Sequence, residues 1–197
     1  MTETGSDFGS DLRAAAEVLR KGGVILYPTD TVWGIGCDAR CGKAVERIFR
    51  IKQRADSKAM IVLVGDLGQL ERTVNEVPEV AYDLIEFSER PLTIVYDGVS
   101  PASGIAPGLC AADGTIAVRL TRERFSAALC KALGAPLVST SANISGQPAA
   151  TCFDEISQEI IDAVDYVCIT GRQATSAARP STVMRLGADG IFKVLRP

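Results

Sequence analysis

The sequence predicts an α/β domain built on a mixed parallel and antiparallel sheet. Three observations lead there. Short apolar runs of strand length, at 24–27, 59–64, 92–96, 115–120 and 136–139, alternate with segments whose apolar residues recur at helical spacing. The alternation is irregular, unlike the regular rhythm of a doubly wound sheet. The C-terminal part holds two further runs, 182–186 and 191–195, joined across Asp189-Gly190, a dipeptide that favours a tight antiparallel turn.

In chain order, Ser10 is placed to cap a helix whose Leu12, Ala15, Ala16 and Leu19 fall on one stripe, and Gly22-Gly23 ends it. The run 24–27 is a strand closed by Pro28. Gly34 and Gly36 punctuate the stretch that follows. Ala44, Ile48 and Ile51 mark one side of a helix over 44–51, and the continuous apolar run 59–64 reads as a strand buried on both faces. Pro78 opens a helix with Ala81, Leu84 and Ile85 inward. Strand 92–96 stops at Asp97-Gly98, and 99–114, rich in Pro, Gly and Ala, reads as loop. After strand 115–120, Thr121 is placed to cap the most regular helix of the chain. There Phe125, Ala128, Leu129, Ala132 and Leu133 share a face, and Gly134 ends it. Strand 136–139 leads to a polar loop over 141–150. Thr151 and Asp154 make a capping-box pattern before a helix with Ile156, Ile160 and Val164. Strands 166–169, 182–186 and 191–195 complete the reading.

A chain of 197 residues suits one domain. Its 47% apolar and 23% charged residues exclude a disordered, collagen-like or coiled-coil chain. No apolar stretch approaches the roughly 18 residues of a membrane helix, and the polar, acidic N-terminus does not resemble a signal peptide. The net charge of −3 argues against a polycation that coats nucleic acid, so any anion site comes from local clustering. The sequence contains no histidine, which removes Ser-His-Asp triads, Cys-His pairs and His-ligated metals. Cys37, Cys41, Cys110, Cys130, Cys152 and Cys168 form no CxxC pair. They read as free thiols of a reducing, cytoplasmic compartment, with no protein metal site.

The densest charge cluster holds Lys43, Arg47, Arg50, Lys52, Arg54 and Lys58 against Glu46 and Asp56. Lys43, Arg47 and Arg50 lie at helical spacing. Lys52 and Arg54, two apart in extended chain, would point the same way. The cluster is either a solvated face or a claw for a phosphate or carboxylate. Gly36, Gly42, Lys43 and Ala44 imitate a phosphate loop, but the glycine spacing is one residue too long and Ala44 lacks the required hydroxyl. Three hydroxyl-bearing stretches stand out: Tyr27-Pro28-Thr29-Asp30-Thr31-Val32-Trp33-Gly34, Ser139-Thr140-Ser141-Ala142-Asn143 and Arg179-Pro180-Ser181-Thr182. Polar residues at strand ends either bind ligands or serve as turn formers and caps.

In order and spacing, the stretch 27–36, the pair Lys52 and Arg54, Ser141-Ala142-Asn143, and the run 180–183 together resemble the YrdC/Sua5 family of threonylcarbamoyl-adenylate synthases. The likeness runs from about residue 12 to the C-terminus. It implies a strongly twisted mixed sheet with flanking helices, curled around a concave basic cavity, as one YrdC-like domain over 1–197. It implies a nucleotidyltransferase that joins L-threonine, bicarbonate and ATP into threonylcarbamoyl-AMP and pyrophosphate, for modification of tRNA. Magnesium is expected on the ATP phosphates. Transferase proteins downstream are implied as partners, and tRNA or double-stranded RNA as a further one. By resemblance Thr29, Arg119, Ser139 and Ser181 serve threonine. Lys52, Arg54, Thr115, Ser141, Asn143 and Arg196 serve the nucleotide, with Lys52 and Arg54 the catalytic pair. Ala55, Ala59-Met60 and Glu89-Arg90 depart from the family's prolines and its Pro-Gly-Pro. The alternatives are a non-catalytic RNA or nucleotide binder of the same fold, against which the retained Asn143 speaks, and the carbamoyl-transfer domain of larger hydrogenase-maturation proteins.

Overall fold

The computed structural model describes residues 5–53, 60–174 and 180–197. Its elements, in order, are α1 (Gly5–Arg20), β1 (Ile25–Tyr27), β2 (Gly34–Gly36), α2 (Gly42–Ile51), β3 (Ile61–Val64), α3 (Leu67–Thr73), α4 (Glu79–Phe87), β4 (Leu92–Tyr96), β5 (Ile116–Leu120), α5 (Arg124–Leu133), β6 (Leu137–Ser141), α6 (Gln158–Asp162), β7 (Tyr166–Val167), β8 (Thr182–Leu186) and β9 (Phe192–Arg196). The strands form one sheet in the order β7-β1-β2-β6-β3-β5-β4-β8-β9. Pairs β1/β7, β3/β5 and β4/β8 are parallel and the rest antiparallel, so the sheet is mixed as expected.

β6 joins the two halves of the sheet. Leu137, Val138 and Ser139 pair with β3, while Thr140 and Ser141 pair with β2. On one face, Ile25, Tyr27, Leu63 and Leu137 pack beneath α1 and α5, with Phe8 edge-to-face on Phe125. On the other face, Val62, Ile94, Val118 and Val138 pack with Ile48 of α2, Leu70 of α3 and Ala81 of α4. Side chains two residues apart on a strand share a face. Ile61, Ser139 and Ser141 therefore continue the α1–α5 face, at the end where those strands line an open cavity.

β2 was not expected as a strand, since two of its three residues are glycine. The glycines are required by close approach. A Cβ on Gly36 would lie 2.1 Å from the Val138 carbonyl oxygen and 2.8 Å from the Tyr27 ring. Tyr27 lies across β2, and its hydroxyl donates to the Val138 carbonyl at 3.2 Å.

Several boundaries differ from expectation for local reasons. α1 starts before Ser10, whose hydroxyl back-bonds to the Asp7 carbonyl; Phe8, packed on Phe125 and covered by Arg124, anchors the extra turn. The cap of α5 is Glu123, whose carboxylate accepts from the Phe125 and Ser126 amides at 2.8 and 2.7 Å, while Thr121 pairs with the Ser126 hydroxyl. Thr151 donates to Glu155 rather than opening a helix, and extended Ile156 separates a short 3-10 turn from α6. α3, capped by Asp66, was not expected. Strand β6 runs on to Ser141, which the sequence reading placed in a loop.

Asp11 ties α1 to the chain after β7. Its carboxylate accepts from the Tyr166 hydroxyl at 2.7 Å and from the Ile169 and Thr170 amides at 3.0 and 2.8 Å. Burial pushes its pKa up, but hydrogen bonds from Thr170, Tyr166 and Ile169 outweigh burial and hold it below the ordinary aspartate value. A lowered native pKa stabilises the fold above the unfolded carboxylate range, and that gain is lost as pH falls through the native value. Asp11→Asn is expected to lower unfolding free energy by about 2 kcal/mol at pH 7. The gap to the parent protein should shrink below about pH 4, as read by denaturant melts; a gap independent of pH would contradict it.

No helix among the described residues is long and apolar enough to cross a membrane. All of the cysteines are free thiols. Burial pushes Cys130 up to about 12 and Cys37 and Cys168 upward as well, which suits packing rather than nucleophilic chemistry.

Candidate functional site

The cavity has a volume of about 620 Å³ and is lined by strand residues and by the turn after β1. Its lining contains hydroxyls from Thr29, Thr31, Thr93, Ser139, Thr140, Ser141 and Ser181, the guanidinium groups of Arg119 and Arg196, and no Asp or Glu among the described residues. A concave wall with arginines and no carboxylate favours anions. Most of its polar groups, those of Thr93, Arg119, Ser139, Thr140, Ser141 and Arg196, come from strands, which suits recognition of an oriented ligand.

Arg119, on β5, is the buried cation of the site, with only 4% of its side chain exposed. Its Nε lies 3.3 Å from Asp30 Oδ1. The pair is close but not aligned as a hydrogen bond, and both atoms lack a hydrogen-bond partner among the described residues. Burying a guanidinium without full pairing is costly, and an anion bound in the cavity would offset that cost.

A second group forms where β4, β8 and β9 meet. Thr93 and Ser181 place their hydroxyls 2.8 Å apart. Arg196 donates to the Ser181 carbonyl from Nε at 3.1 Å and from a terminal nitrogen at 2.9 Å, and reaches the Ser181 hydroxyl at 3.2 Å. Across the cavity, the Thr29 hydroxyl donates to the Val32 carbonyl at 2.6 Å and accepts from the Thr31 amide at 3.1 Å. Thr29 is thus a turn former and a cavity residue at once. Trp33, packed on Phe153 with ring centres 5.1 Å apart, forms an apolar part of the wall.

Of the residues expected in the site, the structure brings Thr29, Arg119, Ser139, Ser141, Ser181 and Arg196 to this cavity. Lys52, Thr115 and Asn143 are not part of its lining. Lys52 is buried at the C-terminal end of α2. Its ammonium donates to the Ser141 and Asn143 carbonyls at 2.5 and 2.7 Å, and its own carbonyl accepts from the Ser145 amide at 2.9 Å. The extended geometry expected at Lys52 does not occur. Lys52 is still helical, and Gln53 turns the chain back with φ 49°. Arg54 lies outside the described residues.

Asn143 donates to the Ile144 and Gln147 carbonyls at 2.9 and 2.6 Å, bracing the loop after β6, while its Oδ1 is buried without a hydrogen-bond partner among the described residues. Thr115 precedes β5, about 13 Å from Arg119 at strand rise. Its amide and hydroxyl both donate to Asp113, at 3.1 and 2.7 Å. Arg47, part of the basic cluster, serves structure: it binds Asp165 at 2.6 Å and the Ala163 carbonyl at 2.7 Å. Thr93, in the cavity wall, and Asp30, beside Arg119, are not among the residues expected from the sequence. The signal for Thr93 is a hydroxyl inside an otherwise apolar buried strand.

A family model described as telomere recombination, and named for Sua5, YciO and YrdC, matches residues 17–197. A protein of Halorhodospira halophila is 37% identical over 183 residues, covering 92% of each chain. One of Stenotrophomonas maltophilia is 38% identical over 161 residues, covering 79% of this chain and 84% of the relative. Both are named threonylcarbamoyl-AMP synthase. Among solved structures, P. abyssi Sua5 complexed with L-threonine superposes with a TM-score of 0.84 at 30% identity, covering 94% of this chain. The match spans 53% of that longer protein. E. coli YciO gives a TM-score of 0.79 at 30% identity, covering 94% of this chain and 87% of its own. A full-length HypF, at 21% identity and a TM-score of 0.78, shares the fold. The chain belongs to the Sua5/YciO/YrdC family.

Proposed function

We propose that the chain is a threonylcarbamoyl-AMP synthase, an enzyme of the nucleotidyltransferase class, with one YrdC-like domain over 1–197. The observation that carries this reading is the buried, incompletely paired Arg119 in a cavity of hydroxyls that has no carboxylate among its described lining. The relatives named for this activity support it.

The reaction demands little covalent chemistry from the protein. The threonine amine combines with bicarbonate to give a carbamate and water. A carbamate oxygen then attacks the α-phosphorus of ATP, and pyrophosphate leaves. Catalysis consists of holding two anions together and stabilising charge as it moves to the leaving group. Arg119 takes the threonine carboxylate, with Thr29, Ser139 and Ser181 on the threonine side. Ser141 and Arg196 serve the nucleotide, with Asn143 and Lys52 shaping the loop beside it. Arg54 is assigned to the phosphates and Thr115 to the nucleotide by family resemblance alone. Magnesium arrives with ATP as part of the substrate; no group of three or more metal-ligating side chains occurs among the described residues. The product is a mixed anhydride whose threonylcarbamoyl group a transferase passes to tRNA, releasing AMP. Free thiols suit a cytoplasmic setting.

The test is pyrophosphate release from ATP, scanned over all twenty amino acids with and without bicarbonate. Threonine alone should give the full signal, and omission of bicarbonate should abolish it. Serine should retain part of it, because losing a methyl costs less than losing a bonded hydroxyl; valine and alanine should be silent. Silence across the panel, with retention of RNA, would replace this reading by that of a binding protein.

A further inference from the structure

Asp30 and Arg119 form a pair that spans the wall between two spaces. Arg119 lines the large cavity. Asp30 lines a separate pocket of about 200 Å³, together with Pro91, Leu92, Leu120 and Arg122. Asp30 Oδ1 lies 3.3 Å from Arg119 Nε, and the two side chains are 11% and 4% exposed. Asp30 sits on the turn that Thr29 fixes through Thr31 and Val32, so its carboxylate is held by a rigid stretch of backbone.

We propose that Asp30 is the positioning residue for Arg119, holding its guanidinium ready for the carboxylate of the amino-acid substrate. This rests on the synthase reading of the cavity. A guanidinium has five N–H donors. A carboxylate beside Nε leaves the terminal nitrogens for a second carboxylate, so Arg119 can be bracketed by Asp30 behind and substrate in front. Arginine has high rotamer entropy when free, and Asp30 removes much of that ordering cost before substrate arrives. Without Asp30, Arg119 would be a buried cation with no ion-pair partner among the described residues, and it would turn toward solvent or toward other acceptors.

The experiment measures threonine- and ATP-dependent pyrophosphate release by Asp30→Ala, Asp30→Asn and Asp30→Glu, with melting curves for each. Asp30→Ala is expected to raise the threonine KM about tenfold, with kcat and the ATP KM within about twofold of the parent. Asp30→Asn keeps the volume and guards against a folding defect; it should show the same direction with a smaller change. Asp30→Glu restores the carboxylate and should recover most of the loss. In an Arg119→Lys background, Asp30→Ala should add little, since the two positions act as one unit. The preference for threonine over threoninamide should narrow in Asp30→Ala. An unchanged threonine KM in Asp30→Asn and Asp30→Ala, or equal rises for threonine and ATP, would overturn the proposal while leaving the synthase reading intact. Absence of threonine-dependent turnover in the parent protein would overturn both.

Discussion

Arg119→Ala should raise the threonine KM about 100-fold while the ATP KM stays within about threefold. The reason is the position of the guanidinium. It is buried, it lines the cavity, and its ion-pair partner among the described residues is Asp30 at 3.3 Å. A charge-assisted contact to a carboxylate in such a place is worth about 3 kcal/mol, which corresponds to the expected change in KM. Removing the guanidinium also strands Asp30 as a buried carboxylate, so a modest loss of thermal stability should accompany the kinetic effect. Steady-state kinetics with each substrate varied in turn check this. Equal losses for threonine and ATP would mean that Arg119 holds the whole site in shape.

Lys52→Ala should lower stability by about 3 kcal/mol and turnover about a hundredfold, through the loop after β6. The Lys52 ammonium joins the Ser141 and Asn143 carbonyls, and its carbonyl accepts from the Ser145 amide, so three bonds bind the end of α2 to that loop. Ser141 lines the cavity, and a shift of its strand end moves the site. Hydrogen exchange at 141–147 in Lys52→Ala should be faster than in the parent. Lys52→Arg should not rescue, because the larger guanidinium does not fit a fully buried lysine site. If exchange is unchanged and only the ATP KM rises, the ammonium serves the phosphates directly.

These two residues show what the sequence could and could not convey. Strands β4 and β8 fall where the apolar runs between turn residues placed them, and α5 ends at Gly134 in a left-handed cap as expected. β2 escaped because glycine reads as a turn signal, whereas here it admits the Tyr27 ring and the β6 backbone. α3 has only seven residues, too few for a helical stripe to stand out. The caps went astray where several polar residues compete, as with Thr121 and Glu123 before α5. In the site, the hydroxyl-rich stretches stood out as polar residues at strand ends, which either bind ligands or form turns and caps, while Arg119 entered only through the family resemblance. The place of Lys52 was not legible. It depends on where α2 ends and on the reversal at Gln53, which spacing along an extended chain does not anticipate. Asp30 likewise became meaningful only once the turn after β1 was seen beside β5.

In the synthase reading, this cavity joins a threonine carbamate to AMP. The most direct measurement is mass spectrometry of the product formed from ATP, L-threonine and carbon-13 bicarbonate. The expected product is an adenylate carrying threonine plus one labelled carbon, with pyrophosphate formed in equal amount. An adenylate of threonine without the label, or no adenylate while nucleotide or RNA remains bound, would contradict it.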